Sequence, residues 1–415
     1  MIAEILCTGD EVRSGALVDS NSAHISQKLE ESGLEVTRHT CVGDNLETLE
    51  AVMREIGARA DIAVATGGLG PTTDDLTTEA AAKAAGELKL ILDEKALGEI
   101  EAFFKGRKRV MTPSNRKQAM LPEGADILYN PVGTAPGFSL KIGRCLFFFL
   151  PGVPYEMKKM LADQVLPSIE KLQGGTRGFC KTRTISTFGL TESGAGEAVA
   201  DLSERFPGIR LGLRANFPEI QVKLYGTGQD ETLLDAQIEK ASAWVSEKIG
   251  HRVISLDGRP MEAAVGELLR QRGETLAVAE SCTGGLISHW LTNISGSSDY
   301  FLFSAVTYSN ETKMKVLGVS QETLQQYGAV HEETAKEMAE GVRRIAGATY
   351  GIATSGIAGP TGGTDEKPVG TLCIGIASPE GATGRRFHFG LGRRGMNKSI
   401  FAMSALDLLR LKLMS

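Results

Sequence analysis

The chain predicts an α/β protein of several domains, with parallel sheets covered by helices and a smaller α+β module between them. Three observations carry this. Short apolar strands alternate with amphipathic helices through residues 1–172, and again over 258–415. Residues 176–255 instead read β-α-β-β-α. The chain's 415 residues exceed what one hydrophobic core serves, so two or three cores are expected.

The composition is 42% hydrophobic and 23% charged, that of an ordinary soluble protein. A net charge of −6 argues against a general nucleic-acid or anionic-membrane surface. The six cysteines are scattered, mostly in apolar runs, without a CxxC pair and read as free buried thiols of a reducing compartment. Met1-Ile2-Ala3-Glu4 enters directly into a strand pattern, without a basic and then apolar leader. The longest strongly apolar run, Leu146–Leu150, is too short to span a bilayer. The expectation is a cytoplasmic protein with no membrane and no direct nucleic-acid partner.

In the first domain Ile2–Cys7 reads as a strand, Ser20–Ser32 as a helix stopped by Gly33, and Leu34–His39 as a second strand. Asp44 is placed to cap a helix over Leu46–Ala58, and Asp61–Thr66 is a third strand. Ligands of such sheets bind beyond the carboxyl ends of the strands, which is where Thr8–Glu11 and Gly67–Asp75 fall. Gly67, Gly68 and Gly70 let backbone amides approach a phosphate, and Asp74 and Asp75 could hold a divalent cation against it. An N-cap role for Asp75 is the alternative. No GxxxxGK[ST] is present. A hairpin, Phe138–Lys141 with Cys145–Leu150, leads through Pro151–Pro154 into a helix reaching Leu172. Glu156 in its first turn could reach a metal or ribose, or be a plain first-turn acid. Arg116 and Lys117 are the nearest basic candidates for phosphate, or a solvated helix face.

Gly174-Gly175 marks a linker. Beyond it come the strand Thr182–Phe188, a helix over Thr191–Phe206, the strands Ile209–Leu213 and Ile220–Tyr225, and the helix Thr232–Ile249. Gly194-Ala195-Gly196 lies among Glu192, Glu197 and Asp201, which would repel a phosphate backbone. The module reads as a spacer or dimerisation element, and a homodimer is expected.

The C-terminal domain centres on Ala279-Glu280-Ser281-Cys282-Thr283-Gly284-Gly285, a strand-to-helix turn after the apolar run Thr275–Ala279. Amides at such a helix start stabilise an anion or oxyanion, and Ser281 and Thr283 place hydroxyls beside them. A capped helix start is the plainer reading. Strand Phe301–Ser309 leads to a helix carrying Lys313, and strand Tyr350–Thr354 leads into the glycine-rich Ser355–Gly363. Arg393 and Arg394 precede the last helix, Met396–Leu413, where a basic pair opposes the helix dipole unless an anion lies between it and the glycine loop. His289 and His331 are isolated, a helix-face and a capping residue. A serine without a His–Asp pair can be activated by a lysine or tyrosine of lowered pKa. Tyr308 and Lys313 lie near the end of a strand that can neighbour that of Ser281.

These motifs resemble those of the CinA family, the competence/damage-inducible proteins. The resemblance rests on Thr8-Gly9-Asp10-Glu11, Asp19-Ser20-Asn21, Gly67–Asp75 and Pro151–Met157, and most strongly on Ala279–Gly285, Thr307–Asn310 with Lys313, and Gly356–Pro360. It implies a molybdopterin-binding-like three-layer domain over 1–172, a KH-like module over 176–255, and a C-terminal α/β deamidase domain over 258–415. Leu69 and the Pro71-Thr72 insertion depart from the Gly-Gly-Thr-Gly of the molybdopterin-binding proteins and follow CinA. The implied N-terminal activity is a divalent-metal-dependent pyrophosphatase acting on ADP-ribose or a related dinucleotide. Its site would draw on Asp10, Glu11, Asn21, Gly67, Gly68, Gly70, Thr72, Asp74 and Glu156, with Asp75 on the metal. The implied C-terminal activity is deamidation of nicotinamide mononucleotide (NMN) without a cofactor. Ser281, Tyr308 and Lys313 would be catalytic. Thr283, Gly284, Gly285, Ser355, Gly356, Gly359, Gly362 and Arg394 would hold substrate, with Arg393 the alternative register. A non-catalytic adaptor binding a nucleotide or pterin is the rival class.

Overall fold

β1 (Ile2–Thr8) is buried at every position after its first, the pattern of a strand covered on both faces. It pairs in parallel with β2 (Glu35–Val42) and β3 (Ile62–Thr66). A separate antiparallel pair is formed by β4 (Leu90–Leu92) and β5 (Met120–Pro122). β6 (Asp126–Leu128), β7 (Gly137–Ile142) and β8 (Cys145–Leu150) complete the main sheet in the order β2-β1-β3-β8-β7-β6, with β8 parallel to β3 and the last two antiparallel. The computed structural model describes residues 1–174 and 179–415, and these form two compact units, Met1–Lys181 with Gly226–Asp235, and Thr182–Tyr225 with Ala236–Ser415.

The N-terminal sheet separates two cores, because successive side chains of a strand point to opposite faces. Leu6, Ala63, Ala65, Phe147 and Phe149 pack with Leu49, Met53 and Ile56 of the helix Leu46–Arg59 and with Ala80 and Ala81 of the helix Thr77–Ala84. Ala3, Ile5, Val64 and Phe148 face the helices Ser20–Glu31 and Pro154–Met160 through Ile25, Leu29, Met157 and Met160. This is the expected three-layer arrangement. One cap differs from expectation. Asn45, not Asp44, caps the helix Leu46–Arg59 by accepting the Thr48 N–H at 2.9 Å. Asp44 is drawn away to accept the Asp10 N–H at 3.0 Å.

β9 (Phe179–Thr187), β10 (Ile209–Asn216), β11 (Glu219–Gly228) and β12 (Val253–Ser255) form the middle sheet in the order β10-β11-β9-β12. β12 is a strand that the sequence pattern did not announce. The single helix expected over Thr191–Phe206 is two, Glu192–Ala198 and Leu202–Arg205. Gly194 and Gly196 weaken the first, and Val199 leaves helical geometry at φ −123°. Gly175 of the expected linker, and the start of the module at 176, lie outside the described residues.

β13 (Leu276–Glu280), β14 (Phe301–Val306), β15 (Tyr350–Gly356), β16 (Thr371–Ser378) and β17 (Gly381–His388) give a second sheet, ordered β14-β13-β15-β16-β17. β13 is an inner strand and runs parallel to both its neighbours, with Glu280 opposite Val306 on one side and Thr354 on the other. Residues 281, 307 and 355 therefore emerge together at the carboxyl edge. The helices Met261–Arg272 and Arg394–Met414 cover one face, and Glu332–Ala346 covers the other. Arg410, 1% exposed, donates to Asp407 at 2.7 Å, to the His251 carbonyl at 2.6 Å and to the Val253 carbonyl at 3.0 Å. Among the described residues no helix is long and apolar enough to cross a membrane.

Candidate active site

Ser281 follows β13 directly, its N–H bonded to the Thr354 carbonyl at 3.0 Å, and its side chain is 8% exposed. The Lys313 amine lies 3.1 Å from Ser281 Oγ, 2.9 Å from the Thr307 carbonyl and 3.4 Å from that of Tyr308. Lys313 is 1% exposed and pairs with no carboxylate among the described residues. Burial holds its pKa below the ordinary lysine value. The neighbouring Cys282 is no rival nucleophile. Its thiol is pushed up to about 12 by burial, so it stays protonated. Thr283 is fully buried, its hydroxyl 2.8 Å from that of Thr354.

The amides expected to be open at Gly284 and Gly285 are taken. The Gly284 N–H closes a turn onto the Ser281 carbonyl at 3.2 Å. The buried Glu280 carboxylate accepts from the N–H groups of Gly285, Ile287 and Ser288 at 2.9, 3.2 and 2.9 Å, and from the Ser288 hydroxyl at 2.6 Å. The start of the helix Leu286–Thr292 is thus neutralised from within. The Cys282 N–H faces its own thiol, and that of Thr283 has no acceptor among the described residues. The Glu280 role was missed, although an acid at the end of a strand running into a helix is its visible signal.

Tyr308 departs from its expected place beside the serine. Its ring is 62% exposed, and its hydroxyl accepts from Arg394 at 3.0 Å, while only its backbone carbonyl meets Lys313. Arg394 also donates to the Gly359 carbonyl at 2.7 Å, tying the last helix to the glycine-rich loop. This fixes Arg394 rather than Arg393 as the arginine at that loop. Ser355 is buried and donates to the Ala329 carbonyl at 2.6 Å. Gly356 ends β15, and Gly362 lies in the loop beyond Gly359. His331 is a cap, as expected, its Nδ1 accepting the Glu333 N–H at 3.1 Å.

In the N-terminal unit a cavity of about 530 Å³ opens at the carboxyl ends of β1 and β3. Glu11, Asn21, Gly67, Gly68, Gly70, Asp74, Asp75 and Glu156 all line it. At Gly68, φ +64°, a β-carbon would strike the Thr77 hydroxyl. Asn21 is held by bonds to Thr66 Oγ1 at 3.2 Å and the Gly152 carbonyl at 2.7 Å. Glu156 accepts from Asn130 at 2.7 Å. Asp10 and Thr72 are not in the lining. The Asp10 carboxylate turns to Arg13 at 3.1 Å, and Thr72 bonds to Asp75 through both its N–H (2.8 Å) and its hydroxyl. Asp75 is therefore no N-cap. The expected phosphate lysine, Lys117, binds the carbonyls of Thr72 and, at 2.8 Å, Asp75, and so braces the loop. Arg116 is exposed and does not line the cavity. The lining instead adds Asp19 and Asp44. Burial, with the charges of Asp10, Glu11 and Asp74, raises the Asp44 pKa.

Fold and sites define a multidomain α/β protein in which a three-layer domain with an acidic cavity accompanies a domain built around a buried Ser–Lys pair. Residues 258–413 match the CinA C-terminal domain, 4–171 the probable molybdopterin binding domain, and 182–255 the damage-inducible protein CinA KH domain. The chain is 55% identical over 414 residues to a CinA-like protein of Desulfosudis oleivorans, covering 100% of both chains, and 44% identical over 415 residues to one of Geobacter metallireducens, again over 100% of both. The chain belongs to the CinA family. Among solved structures, the competence/damage inducible protein CihA of Agrobacterium tumefaciens is 36% identical, covering 37% of this chain and 94% of its own, with a TM-score of 0.36.

Proposed function

We propose that the Ser281–Lys313 site hydrolyses the carboxamide of NMN to nicotinic acid mononucleotide and ammonia. One observation carries this reading: a buried lysine without a carboxylate partner stands 3.1 Å from a serine hydroxyl. Such a lysine loses its proton more readily than a surface one. As a neutral amine it donates its two hydrogens to the Thr307 and Tyr308 carbonyls and offers its lone pair to the Ser281 O–H.

Ser281 Oγ attacks the amide carbon, its proton passes to Lys313, and the carbonyl pair becomes an oxyanion. The Thr283 N–H is the unpaired donor nearest that charge in sequence, and the Cys282 N–H could turn to it from the thiol. The oxyanion pair then re-forms the carbonyl, the C–N bond breaks, and Lys313 hands its proton to the departing ammonia. Water, deprotonated by the same amine, cleaves the Ser281 ester and restores the serine. Base and amide donors suffice for this chemistry. The likeness of these motifs to the family's deamidase domain supports NMN as the amide, with Arg394 and the glycine-rich loop on its phosphate. Ammonia release from NMN, matched mole for mole by nicotinic acid mononucleotide, is the test, and a wild-type chain that releases none would sink the reading.

For the N-terminal cavity we propose divalent-metal-dependent cleavage of a nucleotide diphosphate such as ADP-ribose. Its lining carries Glu11, Asp19, Asp44, Asp74, Asp75 and Glu156 and neither lysine nor arginine. A diphosphate meets repulsion there unless a cation accompanies it. Among the described residues no three acids converge as a cation cluster, so Asp74 and Asp75 would share that ion with the oxygens of the diphosphate itself, which it would neutralise and polarise when bound. Gly67, Gly68 and Gly70 let the loop close onto Thr8, Thr77 and Asp75 at the cavity wall, and Asn21 and Glu156 border the cavity for the sugar.

A further inference from the structure

The helix Arg394–Met414 has no acid in its first turn. Arg394 and Lys398 stand at i and i+4, on one face of it. Arg394 makes its bonds to two neutral oxygens, Tyr308 Oη and the Gly359 carbonyl. Lys398 is half-buried and has no hydrogen bond or ion pair among the described residues. Its Nζ lies 3.4 Å from the point that a β-carbon on Gly284 would occupy. The ammonium therefore stands over the turn that follows Ser281, where Gly284, at φ +62°, presents no side chain to displace it.

Two like charges at this spacing weaken a helix, and cations at its amino end oppose its dipole. The acid nearest in sequence to that turn, Glu280, is buried and bonded to the amides of Gly285, Ile287 and Ser288. The two cations thus share a face with no ion pair among the described residues, and Lys398 stands at the turn that follows Ser281.

We propose that Lys398 is a specificity-determining residue of the C-terminal site, holding with Arg394 the phosphate monoester of the amide substrate. The clasp sets the preference for a nucleotide over the uncharged nucleoside. It rests on the amidase reading above only for the identity of the amide. A phosphate carries nearly two charges at neutral pH and has oxygens enough for both partners.

The test uses the full-length chain as wild type, Lys398→Ala and Lys398→Arg, with ribose 5-phosphate as the calorimetric probe and with NMN and nicotinamide riboside as substrates. Lys398→Ala should weaken ribose 5-phosphate binding by about tenfold or more, and lower the NMN-over-riboside ratio of kcat/KM by a similar factor, mainly through KM. Lys398→Arg should restore most of both, which a merely structural lysine would not show. Unaltered binding of the probe by Lys398→Ala, equal losses on both substrates, or a wild type that does not bind ribose 5-phosphate would overturn the clasp. A wild type that binds the probe through Lys398 but releases no ammonia would instead remove the amidase reading and leave the clasp standing.

Discussion

Lys313 Nζ stands 3.1 Å from Ser281 Oγ, and its two other contacts are the main-chain carbonyls of Thr307 and Tyr308. All three partners are neutral oxygens. A carboxylate in any of these places would hold the lysine charged and useless as a base, whereas carbonyls orient the amine without fixing its proton.

In the proposed mechanism serine and lysine act as one device, so their losses should not add. Ser281→Ala and Lys313→Ala should each lower kcat by roughly 10³-fold, and the double variant by little more. Steady-state ammonia release from NMN measures this, and additive losses would separate the two residues.

The pH profile follows from the direction of the Lys313 shift. Burial lowers its pKa, and in the proposed mechanism the neutral amine is the working form, so kcat should rise with pH and level off below the range of an ordinary lysine, about 10.4. A profile still climbing through that value would mean that another group is the base.

A second titration belongs to stability. Glu219, 5% exposed, is pushed up to about 7 by burial, with the Glu262 charge adding to it and the Met261 N–H partly offsetting it. Below pH 4.5, the ordinary value, folded and unfolded chains are both protonated. Between there and pH 7 the folded chain keeps a proton that the unfolded chain has lost, so stability falls as pH rises, by on the order of 3 kcal/mol at most. Urea unfolding of Glu219→Gln at pH 5 and pH 7.5 should show less of this decline than the parent. An identical decline in both would exclude Glu219.

At the acidic cavity, Asp75→Ala should abolish metal-stimulated cleavage of ADP-ribose while NMN deamidation continues. Asp75 also anchors Thr72, so Asp75→Asn, which retains an acceptor for those bonds, should lose cleavage too if the charge is what matters. Parallel loss of both activities in either variant would point to misfolding.

The layers of this protein were legible because strand and helix periods are local. The near-continuous apolar runs of Ile2–Thr8 and Ile62–Thr66, and the 3–4 spacing of Leu49, Met53 and Ile56, suffice to place them. The convergence of Ser281, Lys313 and the glycine-rich loop needed the motifs as well. What stayed hidden was which way a side chain turns when two partners compete for it. Tyr308 turns to Arg394, Lys117 to the Thr72 and Asp75 carbonyls, and Glu280 to three amides of its own turn. None of these choices has a period, and each depends on a neighbour brought in by the fold. Lys398 is the intermediate case. Its spacing from Arg394 is a property of the sequence, but its approach to Gly284 is one of the fold.

Arg410 bears on how this polypeptide can be cut. Two carbonyls that hold its guanidinium belong to residues 251 and 253, upstream of residue 258, where the match to the C-terminal domain begins. A fragment begun there strands a buried cation with fewer acceptors, at a cost of a few kcal/mol. Extending it back to residue 250 restores both carbonyls and should raise its Tm. The stretch that matches the C-terminal domain therefore stops short of two contacts on which one of its own buried charges depends.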